Sequence, residues 1–361
     1  MSERFDAIVI GAGHNGLVCA SLLGKAGYRV LVLEANDQVG GAAVTREFAD
    51  GYSVSACAHL LYQLQPRVVR ELGLDIDYVQ DELGTVALSA DGNHVRIKGD
   101  EVLGISDDDA AGYRDFRRRM TRYADLLNTY FNKTPPRLAK DASWSDKLTL
   151  ASLGLDVRRL GRTEMREFLR LIGMNIRDEV VERFDNALLR GAISLDAILG
   201  THLGPRSPNT IMTYLYRLAG SHGAIRQPAG GMGAVSDALA QSARNNGVTV
   251  RTGVPVQRVT IERGRVTGVE TESGESFGSS IVISNADPKS TIMGLVGVRN
   301  VETGFTRRVH HIRMRGNAAK LHLALDGLPA INGVEKREFA NRFVIAPDDV
   351  YVERAFNHAK Y

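Results

Sequence analysis

Phe5-Asp6-Ala7-Ile8-Val9-Ile10-Gly11-Ala12-Gly13-His14-Asn15-Gly16 is the stretch whose reading decides the fold. The apolar run around Ala7 to Ile10 reads as a strand buried on both faces, the pattern of a parallel sheet. It runs straight into Gly11-x-Gly13-x-x-Gly16 and then into a helical segment, Leu17 to Ala26. Gly11 permits the tight turn, Gly13 lets a pyrophosphate approach the backbone, and Gly16 allows close packing of helix on strand. The unpaired amides of the helix start then hold the phosphates, and Ala12, His14 and Asn15 of this turn are expected among the cofactor-binding residues. Gly27 closes the helix, and Tyr28 to Leu33 forms a second strand ending in Glu34, twenty-three residues after Gly11. That is close to the offset of roughly 20 residues at which a carboxylate meets a ribose hydroxyl. Glu34 would repel a 2′-phosphate, so the dinucleotide is FAD or NAD and not NADP. Ala35 follows directly and belongs to the same strand end.

Asp37-Gln38-Val39-Gly40-Gly41-Ala42 comes next, where a plain nicotinamide dehydrogenase would enter another crossover helix. A Gly40-Gly41 pair lets the chain run tightly beside an extended cofactor. Paired glycines also mark ordinary turns, so spacing alone leaves FAD and NAD both open.

Several segments together resemble the phytoene desaturase-related FAD oxidoreductases, of the branch named for pyridine nucleotide-disulfide oxidoreductase domain-containing protein 2 and its bacterial relatives. They are Gly11 to Val18, the Glu34 strand end, Val39-Gly40-Gly41-Ala42-Ala43-Val44-Thr45, Pro228-Ala229-Gly230-Gly231-Met232-Gly233 and Ser284-Asn285-Ala286-Asp287-Pro288. The resemblance implies FAD as cofactor, with Asn285 near it and Val256 contacting the adenine through its backbone. It also implies that the chain passes the flavin between Phe48 and Leu64. Two departures stand out. Ala42 occupies the position where many relatives carry an arginine, and the Gly-rich segment that covers the flavin ring in relatives is not found before Tyr361. On that ground the chain is expected to be truncated within its substrate domain and to hold FAD weakly, through the adenine and pyrophosphate end.

Composition narrows the function classes. A net charge of +3, from 45 basic and 42 acidic residues, gives no case for nucleic acid. Two cysteines, Cys19 and Cys57, form no close pair, which speaks against thiol-disulfide chemistry. No run of 18 apolar residues exists to span a membrane, and Met1 to Asp6 lacks the features of a secretion signal, so a cytoplasmic location is expected.

The expected fold class is α/β, a Rossmann-like FAD-binding domain of the glutathione reductase-like, amine oxidase type, with an inserted and largely helical cap. The expected boundaries are 1–70 and 225–299 for the two halves of the FAD domain, 71–224 for the cap, and 300–361 for a return to the cap. Within the cap, Thr85–Ala90 and His94–Ile97 read as a hairpin about Asp91-Gly92. Tyr113, Phe116, Met120, Tyr123, Leu127 and Tyr130 form one helical stripe. Further helices are read over 162–173, 178–190 and 209–219, and over 234–245 in the second nucleotide-binding half.

The expected activity is removal of hydride from a small hydrophobic or amine-like substrate, with oxygen, a quinone or a protein as acceptor. In such enzymes the cofactor carries the hard chemistry, so a protein base is optional. His59 is the one weak candidate for a catalytic residue, against the simpler reading of a packed or solvated histidine. Arg114, Arg117, Arg118, Arg119 and Arg122 make the 113–130 helix basic opposite its apolar stripe. A packed helix with a solvated basic face is preferred there over one docked on a membrane. His202 and His222 lie in different loops without ligand spacing, so no metal is expected. Gly230-Gly231-Met232-Gly233 lacks a preceding strand, so it is read as serving FAD rather than a second nucleotide. An NAD-linked dehydrogenase and a flavin-fold protein that only binds partners are the alternatives.

Overall fold

The computed structural model describes residues 3–139, 141–220 and 223–360. At its centre is a four-stranded parallel sheet in the spatial order Thr249–Arg251, Val30–Leu33, Ala7–Ile10, Val282–Ser284. The two central strands are buried along their whole length, as runs of Ala-Ile-Val-Ile and Val-Leu-Val-Leu require. Their side chains alternate. Val9, Val30 and Val32 join a core with Leu17 and Ala20 of helix His14–Lys25 and Leu239, Ala240 and Ala243 of helix Met232–Asn245. Ile8, Ile10, Leu31 and Leu33 point the other way, onto Val259, Val269 and Phe277. Those three residues belong to an antiparallel meander of Val256–Glu262, Arg265–Thr271 and Ser276–Gly278. The period of two in the strand thus decides which layer each residue meets. The fold class is the α/β one read from the sequence.

A second body surrounds a mixed sheet in the order Arg342–Val344, Thr85–Ala87, Val95–Lys98, Glu101–Leu103. The strands on either side of Asp91-Gly92 pair antiparallel, and Gly92 takes the left-handed φ of +84° that the turn needs. Helix Asp107–Phe131 packs on this sheet. Ser106 caps it by accepting from the Asp109 amide at 3.2 Å, and three aspartates fill its first turn, where the helix dipole favours negative charge. Tyr113, Phe116, Met120 and Tyr123 of the expected stripe are buried. Leu127 is partly buried, and Tyr130 bonds Asp156 and Ser152 through its hydroxyl. The opposite face is less uniformly basic than the sequence suggests. Arg119 pairs with Glu164 at 3.7 Å and Glu167 at 3.8 Å, and Arg117 turns inward to donate to the Gly223 carbonyl at 2.7 Å.

The segment read as one helix over 178–190 is two, Ile176–Arg183 and Ala187–Ile198. Asn186 caps the second by accepting from the Leu189 amide at 2.9 Å. The chain between them is held by the buried Asp109 carboxylate, which accepts from the amides of Asp185 and Asn186 at 2.9 Å each. A remote carboxylate replaces the helical acceptors there, and local periodicity carries no sign of it. Helix Trp144–Arg159, which the sequence reading left unassigned, starts at a Ser143/Asp146 capping box. It buries no residue. Among the described residues no helix is long and apolar enough to cross a membrane.

Asp109→Ala leaves two part-buried amides without their acceptor and is expected to destabilise the protein by about 1–3 kcal/mol. Urea denaturation of the variant measures this. A loss below about 0.5 kcal/mol, the range of an ordinary surface substitution, would show that the two amides find another acceptor.

Candidate functional site

Strand order places a crevice at the carboxyl ends of Ala7–Ile10 and Val282–Ser284, where the sheet's sequence order reverses and dinucleotides bind in open α/β folds. Gly11 continues the first strand with a left-handed φ of +93° and donates to the Leu33 carbonyl at 2.8 Å. Helix His14–Lys25 then begins with Gly13 as its cap residue. Gly13 has no side chain to cap with and the first turn holds no acid, so its leading amides are left for an anion.

Each glycine has a distinct steric reason. A Cβ on Gly16 would lie 2.2 Å from the Gly11 carbonyl oxygen, which fixes Gly16 as the strand–helix contact. A Cβ on Gly13 would lie 2.7 Å from Asn285 Nδ2. The Asn285 side chain therefore lies across the turn, while its own amide donates to the Ile10 carbonyl at 2.8 Å. Gly40 and Gly41 close the other side. The Gly40 amide donates to the Ala12 carbonyl at 2.9 Å, and a Cβ on Gly41 would come within 3.3 Å of the Gly13 Cα. Both have positive φ, +121° and +57°, which favours glycine.

Glu34 is buried, and its carboxylate does structural work. Oε2 accepts from the Ala12 amide at 2.7 Å, and Oε1 accepts from the Asn36 amide at 3.0 Å and the Asn36 side chain at 2.8 Å. A carboxylate offers about four lone-pair sites, so one remains for a hydroxyl donor. The Glu34 carbonyl accepts from Val254 at 2.8 Å and the Asn36 carbonyl from Gly253 at 2.7 Å. These bonds draw the chain leading to the half-buried Val256 beside the same strand end. His14, Asn15, Ala35 and Ala42 are exposed around this crevice. The expected cofactor set, Gly11 to Gly16, Glu34, Ala35, Gly40, Gly41, Ala42, Val256 and Asn285, thus gathers at one place.

The second glycine cluster has a different job from the one read in the sequence. The Met232 amide donates to Ser55 Oγ and the Gly233 amide to Thr45 Oγ1, each at 2.9 Å, and Thr45 Oγ1 donates to the Gly230 carbonyl at 2.9 Å. The amides that would have met a phosphate are satisfied by hydroxyls of the hairpin Thr45–Ala49/Tyr52–Ser55. A Cβ on Gly231 or Gly233 would collide with Thr45 and Ser55. These glycines let the hairpin dock.

From that hairpin the chain passes Cys57 and His59. His59 is exposed, and Nδ1 faces the Cys57 carbonyl at a long 3.4 Å. Desolvation of the ring by its surroundings lowers its imidazole below its ordinary range against the upward pull of the Cys57 carbonyl, with Lys320, Arg342 and Arg217 pushing it down as well, which favours the neutral form. The sequence reading missed Lys320, whose Nζ donates to the carbonyls of Ser55 and Cys57, and His322, whose Nε2 lies 3.3 Å from the Ala56 carbonyl. The alternation Lys320-Leu321-His322-Leu323 was the available signal. His202 stacks edge-on against Phe356, and His222 lies outside the described residues. Among the described residues no cluster of His, Cys, Asp or Glu is arranged to hold a metal.

A glycine-lined crevice, an uncapped helix start and a buried carboxylate at the next strand end define a dinucleotide-binding fold. The chain belongs to the flavin containing amine oxidoreductase family, whose model matches residues 16–327, and FAD is therefore its cofactor. It is 28% identical over 91% of its length to pyridine nucleotide-disulfide oxidoreductase domain-containing protein 2 of Mus musculus, of which it covers 61%. It is 27% identical over 82% of its length to phytoene desaturase (neurosporene-forming) of Cereibacter sphaeroides, covering 55% of that protein. The structure of cyclohexylamine oxidase from Brevibacterium oxydans superposes with a TM-score of 0.50 at 18% identity, over 85% of this chain and 63% of that one. The chain thus spans about three fifths of the length of the curated relatives it matches.

The steric pattern predicts a split between two neighbouring glycines. Gly16→Ala drives a methyl into a backbone carbonyl and should cost about 1–3 kcal/mol. Gly13→Ala meets only the mobile end of Asn285 and should cost less than half as much. Thermal melting of the two variants checks the order, and equal losses would contradict the assigned contacts.

Proposed function

We propose that this chain supplies the dinucleotide-binding crevice and part of the substrate face of an oxidoreductase that passes a hydride from a hydrophobic or amine-like substrate to FAD. When bound, the flavin supplies the electron-accepting ring. What carries the reading is the convergence of Gly11–Gly16, Gly40-Gly41 and Asn285 around amides that no side chain caps. Those amides suit a pyrophosphate, and Glu34 retains an acceptor site for a ribose hydroxyl. The residues present therefore fit the cofactor of the family.

The 55–59 segment runs back beside the crevice, its Ala56 and Ala58 amides donating to the Val44 and Ala42 carbonyls at 2.8 and 2.9 Å, which makes it the candidate reacting end. The Ser55, Ala56 and Cys57 carbonyls face Lys320 and His322, so the backbone here is held by a second segment. Lys320 has three donors and uses two, leaving one N–H for a water or a polar substrate atom. A neutral His59 can accept a proton from an amine or alcohol donor, which is the role this reading gives it.

Purified chain titrated with FAD, followed by flavin fluorescence, tests the site. Gly13→Val should abolish binding while the fold persists. Glu34→Ala should raise the Kd by about 10- to 100-fold, from loss of a charged hydrogen-bond acceptor worth about 1.5–3 kcal/mol. Full FAD binding by Gly13→Val would refute the assigned crevice. Lys320→Met should leave FAD binding within about threefold but slow flavin bleaching by any active donor at least tenfold, an effect of about 1.4 kcal/mol on the barrier. An unchanged bleaching rate would remove Lys320 from the reacting end.

A further inference from the structure

Between the cap sheet and helices Asp107–Phe131, Ala187–Ile198 and Thr210–Ala219 lies a cavity of about 60 Å³. Its polar lining is unusual in charge, with Arg117, Arg217 and Asp196 facing it beside Tyr113 and Tyr214, and Glu82 at its edge by Gly99. Arg342 stands behind Asp196 and holds both its oxygens, with Nη1 on Oδ1 at 2.7 Å and Nη2 on Oδ2 at 3.0 Å. Arg342 also donates to Thr85 Oγ1, at 2.9 Å from Nη2 and 3.2 Å from Nε. Burial alone would push the Asp196 carboxyl up, but Arg342, Arg217 and Arg117 outweigh it and hold it below the usual carboxylate range. Asp196 is therefore an anion, and with Glu82 at the edge it stands against three guanidiniums, those of Arg117, Arg217 and Arg342.

Arg217 is the less completely paired cation, its Nη1 donating to the Asp196 backbone carbonyl at a long 3.5 Å. It is 7% exposed, and its Nη2 is buried with no hydrogen-bond partner among the described residues. The Asp196 carboxylate lies 3.5 Å from that atom. Its guanidinium rests over the Tyr62 ring at 5.0 Å from the centroid, which fixes its plane. Arg117 spends one donor on the Gly223 carbonyl. A buried guanidinium with an idle donor is costly, and a planar fork of this kind matches a carboxylate.

The cavity sits next to the candidate reacting end. Tyr62 lies three residues after His59, whose imidazole feels Arg217 and Arg342. Leu61 exchanges backbone hydrogen bonds with Arg226, next to the cavity-lining Ile225. A single water needs roughly 10–15 Å³ measured this way, so the space suits a carboxylate and a methylene or two, not a whole substrate.

We propose that this cavity takes the carboxylate end of the substrate, held by Arg217 and Arg117, and that the substrate is a hydrophobic carboxylate. The inference rests on the reading of 55–59 as the reacting end. The Arg217 and Arg117 guanidiniums offer donors and no acceptor, so any amine to be oxidised lies at the far end of the molecule.

Isothermal titration of the FAD-supplemented chain with hexanoate, hexanamide and hexylamine tests it. Wild type should bind hexanoate at least tenfold more tightly than either neutral or cationic analogue. Arg217→Met should lose that preference, and Arg217→Lys should keep part of it. Arg117→Met serves as a second variant should Arg217→Met fail to fold, and it should weaken hexanoate at least fivefold. Equal affinity for the three ligands, no binding of hexanoate, or a preference that survives in a folded Arg217→Met would overturn the proposal. Flavin content read in the same samples separates the two readings. Lost flavin with hexanoate preference intact counts against the FAD crevice alone.

Discussion

The Glu34 carboxylate is the interaction on which the rest of the crevice depends. One oxygen holds the Ala12 amide, in the middle of the glycine turn, and the other holds Asn36 at the start of the loop toward Gly40. The same strand end takes the Val254 and Gly253 amides on its carbonyls. A single buried acid thus sets the distance between the turn after the first strand, the loop after the second and the entry to the outer meander. A dinucleotide meets a preformed cleft, and the ordering of those three segments is not charged against binding.

Glycine supplies the second constraint, by absence of bulk. Two turns, at residues 11–16 and 40–41, approach closely enough that a methyl group at either would collide or crowd. Asn285, arriving from the far strand, crosses the first of them. The cluster at 230–233 uses the same property differently, letting a hairpin sit on a helix start whose amides it satisfies. Two glycine motifs of similar look therefore differ in what their amides are free to do. Only the first keeps them available, which is why the account places the phosphates there.

The nucleotide-binding half was legible because its signals are local. Strand burial, glycine spacing and the Glu34 offset each lie within a few dozen residues. The long cap helix was legible for the same reason, through the spacing of Tyr113, Phe116, Met120 and Tyr123. What escaped depended on partners far away in the chain. The break between helices at 184–186 is made by Asp109. The inward turn of Arg117 is made by Gly223, and the place of Lys320 by carbonyls more than 260 residues earlier. The role of Gly230-Gly231-Met232-Gly233 was misread because its amides meet hydroxyls of residues 45 and 55, which no spacing rule connects.

Amide hydrogen exchange on the chain with and without FAD is the most direct test of the central claim. The account predicts FAD-dependent protection at residues 13–16 and 41–42, around the uncapped helix start, with little change at 230–233, where the Gly231, Met232 and Gly233 amides are already bonded. Protection centred on 230–233, with 11–16 unaffected, would contradict it.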